Sequence, residues 1–210
     1  MNPEVLDIVS EGAHEQVSSS ANTLLNASFL SDLKNFYKQN EEITCWYTNP
    51  TSLNNKISEF LCCISEDKPN LIFITETWWN ETSTPFIGGY SLYRRDREKT
   101  KGGGVAIYVS NKITSAEVVD NELNNKKEQI WCTIKVENKS LLVGCIYRAN
   151  MHDDINEANS SIIRAKQLVD SHSHSGLLIC GDFNLPTINW NNEGGKVALV
   201  INVSFLSMCT

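Results

Sequence analysis

Polar side chains suited to phosphoester chemistry stand directly after short apolar runs. Asn49 follows ITCWYT, Glu76 follows NLIFIT, and Asp182 and Asn184 follow GLLICG; the pair Tyr147-Arg148 closes a fourth run, LLVGCI. Strands that leave a core and end in polar groups let a rigid sheet present chemistry. A hard divalent cation takes a few protein oxygens and keeps water and substrate phosphate in the rest of its shell, so one carboxylate with an amide nearby suits Mg²⁺. In such a site the cation stabilises charge on the phosphoryl oxygens, and a second carboxylate orients or deprotonates the attacking water. Each residue alone has a plainer reading: Asn49-Pro50 as a turn, Glu76 as a solvated loop residue, Gly181-Asp182 as a bend. The tetrapeptide Gly181-Asp182-Phe183-Asn184 is more specific, because two polar residues bracket an aromatic just after a buried run.

The elements that must position these groups follow from pattern. Residues 43–48 form an apolar β-rich run, and 70–75 and 176–180 are continuous apolar runs of the kind buried on both faces. Between the first two, Leu53, Ile57, Phe60, Leu61 and Ile64 fall at helical spacing, with Ser52 as N-cap and Pro69 beyond the end. Strands are expected over 90–94, 103–109, 113–119, 129–136 and 140–147, with ENKS as a hairpin tip between the last two. Ile155, Ala158, Ile162, Ala165, Leu168 and Val169 predict a helix over 155–170. Strand, helix, strand, β-meander, helix and strand imply two sheets packed together with helices outside. Residues 1–40 read as a flexible polar leader carrying one short helix at 29–37.

Composition sets outer bounds. The chain has 210 residues, enough for one domain with a sizeable core, and its 41% hydrophobic and 20% charged residues are those of a globular protein. A formal charge of −7 excludes a generally basic nucleic-acid coat, so a polyanion would bind a local patch. Seven cysteines without framework spacing point to reduced thiols and an intracellular setting, cytoplasm or nucleus. The acidic start MNPEVLDIVSEGAHE is no secretory signal, so the sequons at Asn26, Asn80, Asn138 and Asn202 are not expected to carry glycans. The late apolar run 197–206 is too short for a bilayer, and no obligate protein partner is evident.

The blocks TNPTSLNNKISEF, PNLIFITETWW, GGGVAIYV, GCIYRAN and GDFNLPTINW, in that order, resemble the endonuclease/exonuclease/phosphatase superfamily of exonuclease III-like and DNase I-like enzymes. They look most like the endonuclease domain of non-LTR retrotransposons. The resemblance covers residues 41–192 and implies an α/β (α+β) fold: a four-layer sandwich of two mixed β-sheets flanked by helices. It implies a cofactor, Mg²⁺ or Mn²⁺, held by Glu76 with Asn49. It implies that Tyr147 contacts phosphate, that Asp182 activates water and that Asn184 bonds the reacting phosphoryl group. The implied partner is the DNA phosphate backbone. Arg148 is a candidate phosphate contact, with a structural salt bridge as its alternative. RRDREKTKGGG places Arg94, Arg95, Arg97, Lys99 and Lys101 close together, either as a solvated loop or as a DNA-backbone contact. Gly102–Gly104 then permit an unusual backbone but form no P-loop, since no Gly-Lys-Ser/Thr follows. Of Trp78 and Trp79, one belongs in the core and the other beside the substrate groove.

The resemblance also implies further strands and a Ser-Asp-His motif after GDFN. No such motif stands in the 26 residues after Asn184, and His14, His152, His172 and His174 all precede it. Residues 193–210 read as an unrelated tail. The expectation is therefore a domain incomplete at its C-terminus, with exposed edges and little nuclease activity. The alternatives are a non-catalytic fold remnant or nucleic-acid-binding fragment and, with less support, a phosphatase acting on another phosphoester.

Overall fold

Successive residues of the apolar runs face opposite ways, and both faces are covered. In β2 (Leu71–Thr75), Leu71 and Phe73 belong to one core cluster while Ile72 and Ile74 belong to another. In β4 (Val105–Ser110), Val105, Ile107 and Val109 join the first cluster, and Ala106 and Tyr108 join the second. A strand buried on both faces has a partner layer on each side. Here those layers are a second sheet and a helix.

The computed structural model describes residues 43–98, 100–124, 126–149, 152–184 and 197–202. Its first sheet runs β1 (Cys45–Thr48), β2, β4 and β3 (Tyr90–Arg95) in spatial order. The pair β1 and β2 is parallel, with Thr48 beside Ile74, and the other pairs are antiparallel. The second sheet runs β5 (Thr114–Glu117), β6 (Gln129–Val136), β7 (Lys139–Tyr147), β8 (Gly176–Asp182) and β9 (Val197–Asn202). Its β7 and β8 are parallel, with Tyr147 beside Asp182.

The sheets face each other across Leu71, Phe73, Ile107, Ile130, Val143 and Leu178. Helix α1 (Ile57–Asp67) covers the outer face of the first sheet through Phe60 and Ile64, around the buried Tyr108. The short α2 (Asn121–Asn124) and the long α3 (His152–Asp170) cover the second through Leu123, Ala158 and Ala165. The result is the expected four-layer α/β sandwich of two mixed sheets.

Two local expectations give way. Ser52 does not cap α1, which begins at Ile57 after Lys56. Ser52 has φ 84° and its N–H donates to the Glu76 carbonyl at 2.9 Å, so its backbone serves the strand end opposite. Helix α2 was not expected; it forms because Asp120 Oδ1 accepts the N–H groups of Glu122 and Leu123 at 3.0 and 3.1 Å. Residues 197–202, inside the stretch read as a tail, pair antiparallel with β8. The leader at 1–40, its helix at 29–37, and residues 193–196 and 203–210 lie outside the described residues.

Candidate active site

In each parallel pair both strands emerge at the same end, and the two pairs emerge side by side. Asn49 follows β1 and Glu76 follows β2; Tyr147 closes β7 and Asp182 closes β8. Two hydrogen bonds then cross between the sheets. Asn49 Nδ2 donates to Asp182 Oδ2 at 3.2 Å, and Tyr147 OH donates to Glu76 Oε1 at 2.8 Å. Below them, the Tyr47 hydroxyl lies 2.8 Å from that of the buried Thr75.

The carboxylate of Asp182 is held on both oxygens, since Asn184 N–H donates to Oδ1 at 3.1 Å. Asn184 sits at φ 44°, and its Nδ2 donates to the Arg148 carbonyl at 2.7 Å. Arg148 N–H in turn donates to the Asp182 carbonyl at 2.8 Å, and its Nη2 to the Asn184 carbonyl at 2.9 Å. The turn 182–184 is thus stitched to residue 148 on main chain and side chain. Arg148 is only 8% exposed, and its Nε and Nη1 are buried with no hydrogen-bond partner. A buried donor left unpaired costs about 1–3 kcal/mol. Its guanidinium is therefore held to the turn through Nη2 alone.

Gly181 makes this stitching sterically feasible. At φ 157°, a Cβ there would lie 1.9 Å from the Ile146 carbonyl oxygen, on the neighbouring strand.

Glu76 is also held on both oxygens, because Trp78 Nε1 donates to Oε2 at 3.2 Å. Burial, and then the bond to the Glu76 carboxylate, hold the Tyr147 phenol well above its usual pKa, so Tyr147 stays protonated as a donor. Arg97 stacks over the Tyr147 ring, 5.8 Å from its centroid, and pairs through Nε with Glu128 Oε1 at 2.5 Å. Burial pulls the Arg97 pKa down, and the bond and charge of Glu128 outweigh it, so the net shift is upward. The other oxygen of Glu128 accepts Gly104 N–H at 2.8 Å.

Six of the residues singled out by sequence therefore meet: Asn49, Glu76, Tyr147, Arg148, Asp182 and Asn184. Arg94 and Arg95 do not join them. Arg94 is spent on the carbonyls of Ser83 and Asn80, on Asp96 at 3.2 Å and on the face of Trp79. Arg95 Nη2 donates to the Asn124 carbonyl at 2.7 Å. Trp79 is the core member of its pair and Trp78 the one at the site. Sequence reasoning did not single out Glu128, and it named Arg97 only as one of five basic residues in its segment; the glycines at 103 and 104, beside which Arg97 and Glu128 lie, were the available signal. His172 and His174 precede β8 and so stand at its far end, where His174 Nε2 lies 3.0 Å from the Thr133 hydroxyl.

The oxygens gathered here are hard donors: the carboxylates of Glu76 and Asp182 and the amide of Asn49. Soft sulfur is kept apart, since Cys132, Cys145 and Cys180 are buried between the sheets and burial pushes their thiols up. Among the described residues no three His, Cys, Asp or Glu side chains form a metal cage. A cation at Glu76 would therefore keep most of its shell for water and substrate, the arrangement Mg²⁺ prefers.

The sequence profile of the Endonuclease/Exonuclease/phosphatase family matches residues 25–200. The chain belongs to that family. Solved structures of similar fold include the endonuclease domain of TRAS1, a telomere-specific non-LTR retrotransposon, at 14% identity and TM-score 0.53, covering 68% of this chain and 61% of that one. Another is the AP endonuclease LMAP from Leishmania major, at 14% identity and TM-score 0.52, covering 77% and 67%. A third is truncated TDP2 from Caenorhabditis elegans, at 12% identity and TM-score 0.50, covering 66% and 60%. The chain thus spans about three fifths of the length of such structures. No curated protein sequence matches it. Among the described residues no helix is long and apolar enough to cross a membrane.

Proposed function

We propose that this member of the endonuclease/exonuclease/phosphatase family is a divalent-metal-dependent phosphodiesterase of the retrotransposon-endonuclease type, acting on DNA. One observation carries the reading: the bonds Asn49–Asp182 and Tyr147–Glu76 fasten four strand ends from two sheets into a single polar site. The fold shared with the TRAS1 endonuclease domain supports DNA as the substrate class.

In this reading Glu76 holds Mg²⁺ or Mn²⁺, with the Asn49 carbonyl as a second oxygen. When bound, the cation stabilises charge on the phosphoryl oxygens. Asp182, fixed by donors on both oxygens, aims one of them at the attacking water and accepts its proton. Asn184 has one amide hydrogen committed to the Arg148 carbonyl and turns the other toward the phosphoryl oxygen. Tyr147 is the protonated hydroxyl beside the phosphate. Arg148 acts from beneath as a fixed positive field rather than by contact, because its free N–H groups are buried. Lys101, 5.2 Å from the Trp78 ring centroid, and Arg97 bring the basic segment to the site edge for the DNA backbone; Arg94 and Arg95 contribute to it only from behind that edge.

The alternative is a fragment that binds DNA without cutting it. Purified chain with supercoiled plasmid and Mg²⁺, beside Asp182→Ala, separates the two. Nicking that vanishes in the variant and with chelator supports catalysis. Equal traces in both would sink it, and salt-sensitive DNA binding without nicking would favour the binding fragment.

A further inference from the structure

Residues 76–78 have an unusual backbone. Glu76 at φ 53° and Trp78 at φ 57° are both left-handed, although neither is glycine. Such conformations cost of order 1–3 kcal/mol each and persist only where the surroundings fix them. Here they are fixed from two sides. The N–H groups of Ser52 and Leu53 donate to the carbonyls of Glu76 and Thr77 at 2.9 and 3.1 Å. The N–H groups of Thr77 and Trp78 donate to the carbonyls of Gly104 and Gly103 at 3.3 and 2.9 Å. The glycine run also presses close: a Cβ on Gly104 would lie 2.5 Å from the Thr77 hydroxyl, and one on Gly102 3.6 Å from the Trp78 indole nitrogen.

The local outcome of this clamp is one geometry. The second left-handed residue turns the Trp78 indole back along the chain, so that its Nε1–H meets Glu76 Oε2 at 3.2 Å. Lys101 Nζ lies over the ring face, 5.2 Å from its centroid. Tyr147 takes the other carboxylate oxygen from the opposite sheet. Glu76 is therefore gripped by one donor from each sheet.

We infer that Trp78 is a positioning residue: its indole N–H fixes the Glu76 carboxylate for the divalent cation, and the strained, doubly clamped turn exists to deliver it. This rests on the reading of Glu76 as the metal ligand. Partners that orient a ligating side chain typically contribute 10–100-fold to metal affinity. Gln offers a test of the N–H itself, because its side-chain nitrogen lies the same number of bonds from Cα as the indole nitrogen.

The experiment measures Mn²⁺ binding to the purified full chain by electron paramagnetic resonance, without DNA, for the parent, Trp78→Phe, Trp78→Gln and Glu76→Gln, with thermal unfolding of each. Trp78→Phe is expected to bind about 10–100-fold more weakly, with Trp78→Gln recovering most of the loss. Parental binding by Trp78→Phe overturns the inference. So does equal loss in both Trp78 variants, which would mean that the ring acts by packing. A second measurement needs no variant: the indole N–H resonance of Trp78 should move with Mg²⁺ along the binding curve, and an unmoved resonance at saturation overturns the inference. Unchanged binding by Glu76→Gln is a different failure, since it removes the metal reading of Glu76 and not merely the role of Trp78.

Discussion

Replacing Arg148 with Met removes a guanidinium that the fold buries to 8% exposure while leaving Nε and Nη1 without partners. Two unpaired buried donors cost the native state roughly 2–6 kcal/mol together, and the bond from Nη2 to the Asn184 carbonyl returns about 1.5–3 kcal/mol. The main-chain stitches survive, because Arg148 N–H to Asp182 and Asn184 Nδ2 to the Arg148 carbonyl do not use the side chain. Met fills the space of the aliphatic stem with little strain. The balance runs from about 1 kcal/mol less stable to about 4.5 kcal/mol more stable for Arg148→Met, centred on a gain of roughly 2 kcal/mol. Urea denaturation reads this directly. Plasmid nicking should fall in the same variant, by less than the ~10²–10³ that follows loss of a donor in direct contact with the reacting group. A gain or tie in stability with a loss of rate is the signature of a charge kept for function. Destabilisation beyond about 2 kcal/mol would refute the reasoning, because it would show a guanidinium that is paired and structural.

Gly181→Ala should cost about 3 kcal/mol or more: the new Cβ meets the Ile146 carbonyl, strand β8 must part from β7, and overpacking adds to lost ladder bonds. Denaturant midpoints check it, and a shift under about 1 kcal/mol would contradict the steric reading. Tyr147→Phe should lower the nicking rate about 10²-fold, and the alkaline limb of the parental pH profile should carry no tyrosine inflection, since burial and Glu76 hold the phenol well above its ordinary value. Burial lowers the His174 pKa from 6.5, so the folded state binds fewer protons than the unfolded one as pH falls. Stability should therefore drop from about pH 6.5 downward, and His174→Gln should flatten that drop in melts taken across the window.

The strand ends were legible because the chain writes them twice, as an apolar run and as the polar residue that stops it. ITCWYT-Asn49 and NLIFIT-Glu76 needed no tertiary information. Which arginine of RRDR turns toward the site was not legible. Arg94, Arg95 and Arg97 share one composition, and what sorts them lies elsewhere in the chain: Asn80 and Ser83 for the first, Asn124 for the second, Glu128 for the third. Ser52 reads as a helix cap by residue type, yet its N–H is claimed by Glu76. Helix α2 has four residues, too few to show a period, and it rests on the Asp120 carboxylate. Which of Trp78 and Trp79 stands at the site is set by the left-handed turn after β2, which residue type does not announce.

The bonds that join the two sheets at the site span long stretches of chain, 133 residues from Asn49 to Asp182 and 71 from Glu76 to Tyr147. Loop closure over such distances is an entropic cost met before any contact rewards it, and it slows folding. A ribosome adding about 5–20 residues per second finishes Glu76 several seconds before Asp182 exists. Before the interval ends the first sheet gains its clamp residue Gly103, while the Asn49 amide N–H still lacks Asp182. The site thus forms only after both sheets exist, and the Asn49–Asp182 bond reports that they have closed on each other.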